Sequence, residues 1–348
     1  MADIEVFGGG IFGLTIAYTL LKRGMRVRLI EKRRIAAGSS GGVVGALAPH
    51  TPDSWNAKKQ FQFESLIETG PFWAEVDRVS GLSSGYGRIG RVTPIVDDRG
   101  LDLARARVAE ADLRWQGLAR WSVVPDRSWR DWAGPSPTGF LVHDTLSARI
   151  SPKDACQSLA GAIALLGGEI VEGADKGRGA DATVLATGYE GLETLSDDLG
   201  RTIGKGVKGQ GLLVAHDAGG LPQLYADGLH IIPHEGGTVA IGSTSETDWS
   251  GADQVDEQLD GLHETAIRLV PALERARVLT RWAGVRPRGR RRAPILGAHP
   301  GQANCFVANG GFKIGFGVAV KAAEVMADLI LTGTADIPEA FGVEANLR

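Results

Sequence analysis

A glycine-rich turn near the N-terminus constrains the fold more strongly than any other stretch of this chain. Residues 4–7 form a short apolar run that predicts a buried parallel strand, and a helix over residues 14–22 and a second strand over residues 25–30 are predicted to follow it. Glu31 stands at the end of the second strand. The glycines between the first strand and the helix have the G-x-G-x-x-G spacing and are Gly8, Gly10 and Gly13. This order of elements is typical of a dinucleotide-binding unit.

Each residue of this turn has a physical task in such a unit. Gly8 permits the tight turn out of the strand, Gly10 lets a pyrophosphate approach the backbone, and Gly13 lets the helix pack closely. The helix N-terminus offers unpaired N–H groups to phosphates, and Glu31 can accept hydrogen bonds from a ribose diol. The alternative is a glycine-rich turn in an ordinary α/β domain. This would explain the glycines but not the position of Glu31 at the end of the second strand. The turn therefore predicts a dinucleotide site, without separating NAD from FAD.

The composition of the chain bounds the remaining possibilities. A length of 348 residues suits one large domain or two closely associated ones, and the net charge of -3 does not point to a nucleic-acid partner. The two cysteines, Cys156 and Cys305, cannot form a disulfide framework or a metal cluster. We expect them to be buried free thiols, which suits the reducing cytoplasm. No apolar run reaches the roughly 18 residues needed to span a bilayer.

Further segments suit a backbone that lies against a flat cofactor. Residues 36–50 are rich in small side chains, and Ser39 and Ser40 could bind phosphate or cap a short helix that follows. A flexible loop is the alternative, although the aliphatic run over residues 43–49 argues against it. A buried strand over residues 182–186 ends in Thr187 and Gly188, and residues 309–315 form a second glycine loop before a C-terminal helix.

The middle of the chain predicts more elements but fewer functional residues. A helix or pair of helices is expected over residues 60–79, interrupted at Gly70 and Pro71. Strands are expected over residues 207–214, 229–233 and 238–243, closing an antiparallel sheet. A dense group of tryptophans either fills the core of a small domain, which we favour, or lines a substrate cavity; its members are Trp115, Trp121, Trp129 and Trp132.

Taken together, these motifs resemble one family, the D-amino-acid oxidase-like FAD oxidoreductases of the glycine oxidase and monomeric sarcosine oxidase type. The resemblance covers most of the chain. It is carried by the N-terminal turn and, in order, by residues 39–49, 207–211, 230–233, 241–244, 282–287, 294–297, 310–314 and 317–318. It implies an α/β FAD-binding Rossmann-like domain interleaved with an antiparallel-sheet substrate domain. The implied FAD-binding segments are 1–85, 140–205 and 286–348, and the substrate domain is built from 86–139 and 206–285.

The resemblance also implies roles for individual residues. Arg286 matches the arginine that holds the substrate carboxylate in such oxidases, and Lys313 matches a lysine used for the same carboxylate. His230 stands where a tyrosine approaches the substrate, although a histidine on a strand is also expected as a structural residue. The implied FAD contacts are Gly8, Gly10, Ile11, Phe12, Gly13, Glu31, Lys32, Ser39, Ser40, Gly45, Ala46, Leu47, Val171, Ala186, Thr187, Gly188, Gly284, Arg286, Gly310, Gly311, Phe312, Lys313 and Ile314.

The chain departs from the family pattern at three places. Gly284 occupies the position of a flavin-linking cysteine, so FAD is expected to be bound non-covalently. Arg290, Arg291 and Arg292 occupy a loop that usually carries an acidic residue before Pro294, which suggests an acidic substrate or partner. The stretch over residues 171–182 is short, so the adenine is expected to pack differently.

The function implied by the resemblance is oxidation of a small amine that bears a carboxylate, an amino acid or N-alkyl amino acid. A hydride would pass from the α carbon to flavin N5, the imine would hydrolyse, and dioxygen or another acceptor would reoxidise the flavin. One alternative is a 2-hydroxy-acid dehydrogenase in which His230 takes the hydroxyl proton. Another is a flavin-binding subunit that docks a partner through residues 288–292. An NAD-dependent dehydrogenase is disfavoured because no nicotinamide site is evident. The enzyme is expected to be a monomer or a homo-oligomer.

Overall fold

A computed structural model describes residues 3–348 of the chain. Its strands, in chain order, are β1 (Asp3–Phe7), β2 (Arg26–Glu31), β3 (Ala46–Leu47), β4 (Arg91–Pro94), β5 (Trp121–Pro125), β6 (Phe140–Asp144), β7 (Ala148–Arg149), β8 (Glu169–Glu172), β9 (Ala182–Leu185), β10 (Gly204–Ala215), β11 (Gln223–Ala226), β12 (Leu229–His234), β13 (Thr238–Gly242), β14 (Val278–Gly289), β15 (Ile295–Ala298) and β16 (Cys305–Asn309). Its α-helices are α1 (Ile11–Lys22), α2 (Ala57–Ser80), α3 (Asp98–Trp115), α4 (Arg130–Ala133), α5 (Pro152–Leu165), α6 (Gly188–Asp198), α7 (Gln258–Leu269), α8 (Gly315–Thr332) and α9 (Val343–Leu347).

One sheet, here called the first sheet, joins strands from both ends and the middle of the chain. Its order is β15-β16-β9-β1-β2-β8, and its strands run parallel except for β15. Val6 of β1 lies between Leu29 of β2 and Val184 of β9, so the carboxyl ends of these strands meet at one edge. Ligands of open α/β sheets bind outside this edge. The buried helix α1 leaves it immediately after the glycine turn.

The second sheet has the order β14-β10-β13-β12-β11-β4-β6-β5 and is antiparallel except where β4 meets β11. The long strands β10 and β14 pair along almost their whole length. A tight turn at Asp227 and Gly228 joins β11 to β12, and both residues have a positive φ, of 50° and 76°. That geometry belongs to the type I′ hairpin turn. It places Tyr225 opposite His230.

The predicted α/β class, with a Rossmann-like sheet interleaved with an antiparallel sheet, is confirmed. Two segments near the expected domain boundaries pair within the second sheet. Phe140–Asp144 pairs with β4 and β5, and residues 286–289 continue β14, so both belong to the second sheet rather than the first. The sequence did not indicate these pairings because strand partners are distant in sequence. The division of the chain into domains remains a prediction.

The expected interruption at Gly70 and Pro71 is wrong, because α2 runs unbroken through both residues. Pro71 removes one backbone N–H, but its ring is exposed to solvent. The other face of α2 packs against α5 and α8. Tertiary packing therefore offsets the missing hydrogen bond.

The tryptophan group belongs to hydrophobic cores, as favoured from the sequence. Trp115, Trp121 and Trp132 are buried, and Trp129 packs against the core of the second sheet. Cys156 and Cys305 are free and buried, as predicted. Among the helices of residues 3–348, none combines the length and the apolar character that crossing a membrane requires.

Candidate active site

A cavity of about 650 Å³ lies between the carboxyl edge of the first sheet and one end of the second. The first sheet contributes the glycine-bearing segments that follow β1 and β9, and the second sheet contributes one wall. We call that wall the second-sheet wall; its members are Tyr225, Gly228, His230, Ser243, Trp282, Val285, Arg286 and Pro287. The loop before α8 closes the space between them with Phe312 and Lys313. The cavity therefore joins a glycine-rich side to a side that carries cations.

The three glycines of the N-terminal turn differ in what a Cβ at each position would contact. A Cβ at Gly8, where φ is +110°, would lie 2.2 Å from the carbonyl oxygen of Ala186. A Cβ at Gly13 would lie 1.9 Å from the carbonyl oxygen of Gly8. At Gly10, a Cβ would meet within 4 Å only the side chain of Ser40, 3.2 Å away at its Oγ. Internal packing therefore requires Gly8 and Gly13, while the backbone at Gly10 stays open to a ligand.

Two side chains hold this turn in place by accepting hydrogen bonds from its backbone. Glu31 accepts hydrogen bonds from the backbone N–H of Gly9 (2.6 Å) and of Arg33 (2.9 Å). Ser40, the middle residue of a short helix over Ser39–Gly41, accepts one from the N–H of Ile11 at 3.0 Å, so its hydroxyl caps α1 rather than that short helix. A carboxylate has about four acceptor sites. Glu31 therefore keeps acceptor capacity for a ribose diol.

Arg286 reaches the cavity through a gap left by a glycine. Its guanidinium lies over Gly209 of the neighbouring strand, where a Cβ would be 1.7 Å from Nη1. Nη2 donates to Ser243 Oγ (2.8 Å) and Nη1 to the carbonyl of Thr244 (3.3 Å). Both partners are neutral. Burial lowers the pKa of Arg286 to about 10, a shift that the charge of Glu246 only partly opposes.

Lys313 follows a strained residue in the second glycine loop. Phe312 has a φ of 44°, and its N–H donates to the carbonyl of Pro287 at 2.9 Å, which ties the loop to β14. The Nζ of Lys313 lies 5.7 Å from the centre of the Phe312 ring. Lys313 keeps an accessible side chain, yet burial and then the charge of Arg286 lower its pKa. The two cations therefore share one part of the cavity.

His230 faces the cavity as a neutral ring. Its centre lies 4.6 Å from that of Tyr225. Burial, and after it the charges of Arg91 and Lys313, lower the pKa of His230 to about 3. Its Nδ1 is buried and has no hydrogen-bond partner within residues 3–348. A ligand group is therefore the available partner for this nitrogen.

Trp282 is a wall residue that sequence reasoning did not assign to the site. Its indole covers Gly284, where a Cβ would lie 2.4 Å from Cζ2. Residues 282, 284 and 286 share one face of β14 because side chains alternate along a strand, so this spacing could have placed Trp282 beside Arg286. The Asp227–Gly228 turn could likewise have placed Tyr225 opposite His230.

Most of the predicted site residues line the cavity, and their individual roles remain predictions. Those in its wall are Gly8, Gly10, Ile11, Phe12, Glu31, Lys32, Ser39, Ser40, Gly45, Ala46, Ala186, Thr187, Gly188, His230, Arg286, Gly311, Phe312 and Lys313. Those outside it are Gly13, Leu47, Val171, Gly284, Gly310 and Ile314. Val171 pairs with Ile30 inside the first sheet. The wall contains further residues, not expected from the sequence, on α6 and before β9: Ala174, Asp175, Tyr189, Glu190, Thr194, Leu195 and Asp198.

The cavity suits FAD in volume and in the groups that line it. Its volume falls in the range of cofactor pockets, Gly10 leaves room for a pyrophosphate at the start of α1, and Glu31 offers a ribose acceptor. Gly311 approaches Phe12 so closely that its Cβ would lie 3.1 Å from that ring, which keeps both loops against the cavity. A dinucleotide cradle that faces a cationic wall defines the class of flavoprotein oxidoreductases.

The chain belongs to the family of FAD dependent oxidoreductases, whose model matches residues 3–329. It is 32% identical to a glycine oxidase of Pseudomonas putida over 99% of both chains. Its fold is like that of the glycine oxidase of Geobacillus kaustophilus, with a TM-score of 0.85, 22% identity and 99% of both chains covered. The iminodiacetate oxidase of Chelativorans sp. is similar in fold at a TM-score of 0.83 and 21% identity, over 97% of this chain and 98% of the other.

Proposed function

We propose that this enzyme oxidises a small amine that carries a carboxylate, an amino acid or an N-alkyl amino acid. The observation that carries the proposal is Arg286, a partly buried cation in the cavity wall whose hydrogen bonds go only to neutral oxygens. A guanidinium has five N–H donors, so a planar fork remains for a carboxylate. The relatives support this choice, since glycine and iminodiacetate are both amines with carboxylates.

The residues of the cavity would orient this substrate. Arg286 would bind the carboxylate and fix the position of the α carbon. His230, neutral and with a free Nδ1, would exchange a hydrogen bond with the amine or the carboxylate. Bound FAD would supply the hydride acceptor at N5. The substrate would lose a hydride from carbon and a proton from nitrogen, and water would hydrolyse the resulting imine.

A 2-hydroxy acid would fit the same carboxylate site but would need a base for its hydroxyl proton. His230 is the candidate, and its pKa of about 3 makes it a weak base at neutral pH. An amine that binds in its neutral form needs no such base. The wall therefore favours an amine over an alcohol.

An absorbance spectrum of the FAD-loaded enzyme tests the proposal. Matched pairs such as glycine with glycolate and alanine with lactate would be added without oxygen, and the flavin band would be followed. We expect the amino acid of a pair to bleach the band and the hydroxy acid to leave it. Bleaching by the hydroxy acids alone would replace the proposal by the alcohol reaction, and no bleaching by any carboxylated amine would overturn it.

A further inference from the structure

On the side of the second-sheet wall the cavity holds two cations, Arg286 and Lys313, and among the described residues no carboxylate beside them. Within residues 3–348, neither Arg286 nor Lys313 forms an ion pair with a carboxylate. Lys313 has no hydrogen-bonded oxygen in the same range, and its nearest described partner is the Phe312 ring. Burial, and after it the charge of Arg286, lowers the pKa of Lys313. Two like charges thus face the ligand together.

The carboxylates of the cavity lie elsewhere. The acidic residues in its wall are carried by the first sheet, by α6 and by the segment before β9, and within the described chain they are Glu31, Asp175, Glu190 and Asp198. The second-sheet wall holds none of them. Glu246, behind Arg286, accepts from Gln210 at 3.0 Å and lies 3.7 Å from the buried Lys208. The negative charge that complements this wall must therefore come from a ligand.

The positive charge continues beyond the cavity. The guanidinium of Arg288 lies 5.8 Å from the Phe312 ring, and Arg288 also lines a neighbouring cleft of about 500 Å³. The other cations of that cleft are Arg201, Lys205, Arg290 and Arg292, and within residues 3–348 none of the five forms an ion pair with an Asp or Glu side chain, although Arg201 donates to the main-chain oxygen of Arg348 at 2.9 Å. The whole chain has a net charge of -3. This face is therefore locally cationic, and such a surface attracts multiply charged anions.

From these observations we infer that the preferred substrate is an amine carrying two carboxylates. The inference rests on the proposed function and specifies its substrate class. Arg286 holds the carboxylate beside the reacting carbon, and Lys313 holds the second carboxylate. A substrate with a single carboxylate leaves one cation without a partner, whereas a dicarboxylate neutralises both. The cationic cleft raises the local concentration of such a dianion.

Binding of unreactive ethers tests this without turnover. Diglycolate has an ether oxygen between two carboxymethyl groups, and ethoxyacetate replaces one of its carboxylates by a methyl group. Their dissociation constants for the FAD-loaded enzyme would be measured by calorimetry or by the shift of the flavin band. We expect diglycolate to bind about 10- to 100-fold more tightly, the range of one charge-assisted hydrogen bond.

Substitution of Lys313 assigns the second carboxylate. We expect Lys313→Met to abolish the preference for diglycolate and Lys313→Arg, which keeps the charge, to retain it. Lys205→Met removes an exposed charge from the neighbouring cleft and controls for long-range attraction; it should leave the preference within about threefold. Equal loss of affinity for both ethers in Lys313→Met would show that both cations hold one carboxylate, and would overturn the inference.

The corresponding amines separate this inference from the proposed function. Iminodiacetate and N-ethylglycine differ by the same replacement of a carboxylate by a methyl group. We expect kcat/KM to be at least about 10-fold higher for iminodiacetate, and the same direction for aspartate against 2-aminobutyrate. If the monocarboxylates reduce the flavin as efficiently as the dicarboxylates, the inference fails while the proposed function stands. If no amine reduces the flavin, the proposed function fails, and the ether affinities still decide whether the wall binds a dianion.

Discussion

Gly209 and Arg286 lie on neighbouring strands so close together that a Cβ at Gly209 would be 1.7 Å from Nη1 of Arg286. Gly209 pairs with Gly284 in the β10–β14 ladder, so the guanidinium crosses the partner strand diagonally. Its position is therefore set by the absence of a side chain there. Gly209, a buried glycine of the second sheet, thus leaves the space in which the guanidinium of the candidate carboxylate site lies.

The variant Gly209→Ala should displace the Arg286 guanidinium. A shift of about 1 Å in a positioning group can cost on the order of 100-fold in rate, so we expect KM for a carboxylated amine to rise by about 10- to 100-fold. Steady-state kinetics would measure it. Gly220→Ala is the matched control, because Gly220 is exposed and a Cβ there meets no described atom within 4 Å. An unchanged KM in Gly209→Ala, with normal flavin content, would contradict this account of how Arg286 is held.

Removing the guanidinium itself should have a larger effect. Arg286→Gln loses a charged fork and should raise KM for a carboxylated amine by about 100-fold, with flavin content retained. Arg281→Gln on the same strand is the control, because Arg281 is exposed and pairs with exposed Asp260. Affinities for substrate and for acetate would be compared. A normal KM in Arg286→Gln would remove Arg286 from the carboxylate site.

Two glycines of the N-terminal turn should respond differently to alanine. Gly10→Ala adds a Cβ toward the cavity and touches only Ser40, so we expect weaker FAD binding and an unchanged stability of the FAD-free protein. Gly13→Ala places a Cβ 1.9 Å from the Gly8 carbonyl and should cost about 1–3 kcal/mol of stability as well. Flavin titration and denaturant unfolding would distinguish them. Equal losses of stability in both variants would refute the distinction.

His230 should make the protein less stable in acid. Its pKa is lowered from 6.5 to about 3 in the folded protein, so between these values only the unfolded chain takes up the proton. The free energy of unfolding therefore falls as pH falls through this window, by up to about 1.4 kcal/mol per pH unit. In His230→Gln this dependence should be smaller. Urea unfolding between pH 4 and 8 would measure both slopes; they should agree above pH 6.5, and equal slopes below it would contradict the shift.

The N-terminal unit was accessible to prediction because its signals are local. The apolar runs of β1 and β2 and the glycine spacing predict the turn. The length of the second apolar run predicts that Glu31 stands at the end of β2. Arg286 and Lys313 came from resemblance, since no local pattern distinguishes them from solvent-exposed cations. The structure brings both to one cavity, while their roles await experiment.

What the sequence did not indicate depends on distant pairing or packing. Pro71 stays inside α2 because packing against other helices compensates for its missing N–H. Val171, expected as an FAD contact, pairs with Ile30 in the first sheet and lies outside the cavity wall, and its role remains a prediction. Trp282 and Tyr225 could have been placed from the alternation along β14 and from the Asp227–Gly228 turn, but their position in the cavity wall depends on how the two sheets pack. Local sequence patterns predict the helices and strands, whereas these contacts depend on how the helices and strands pack against one another.

The strand order of the first sheet also has a consequence for biosynthesis. β1 pairs with β9, and β9 pairs with β16, whose residues are synthesised long after those of β9. A nascent chain lacking β16 exposes the bare edge of β9, a surface prone to aggregation. The two glycine loops are far apart in the sequence, so the FAD cradle is complete only after both have been synthesised. Cellular FAD should therefore stabilise by mass action only molecules that contain both loops, and chains truncated before β16 should gain nothing from it.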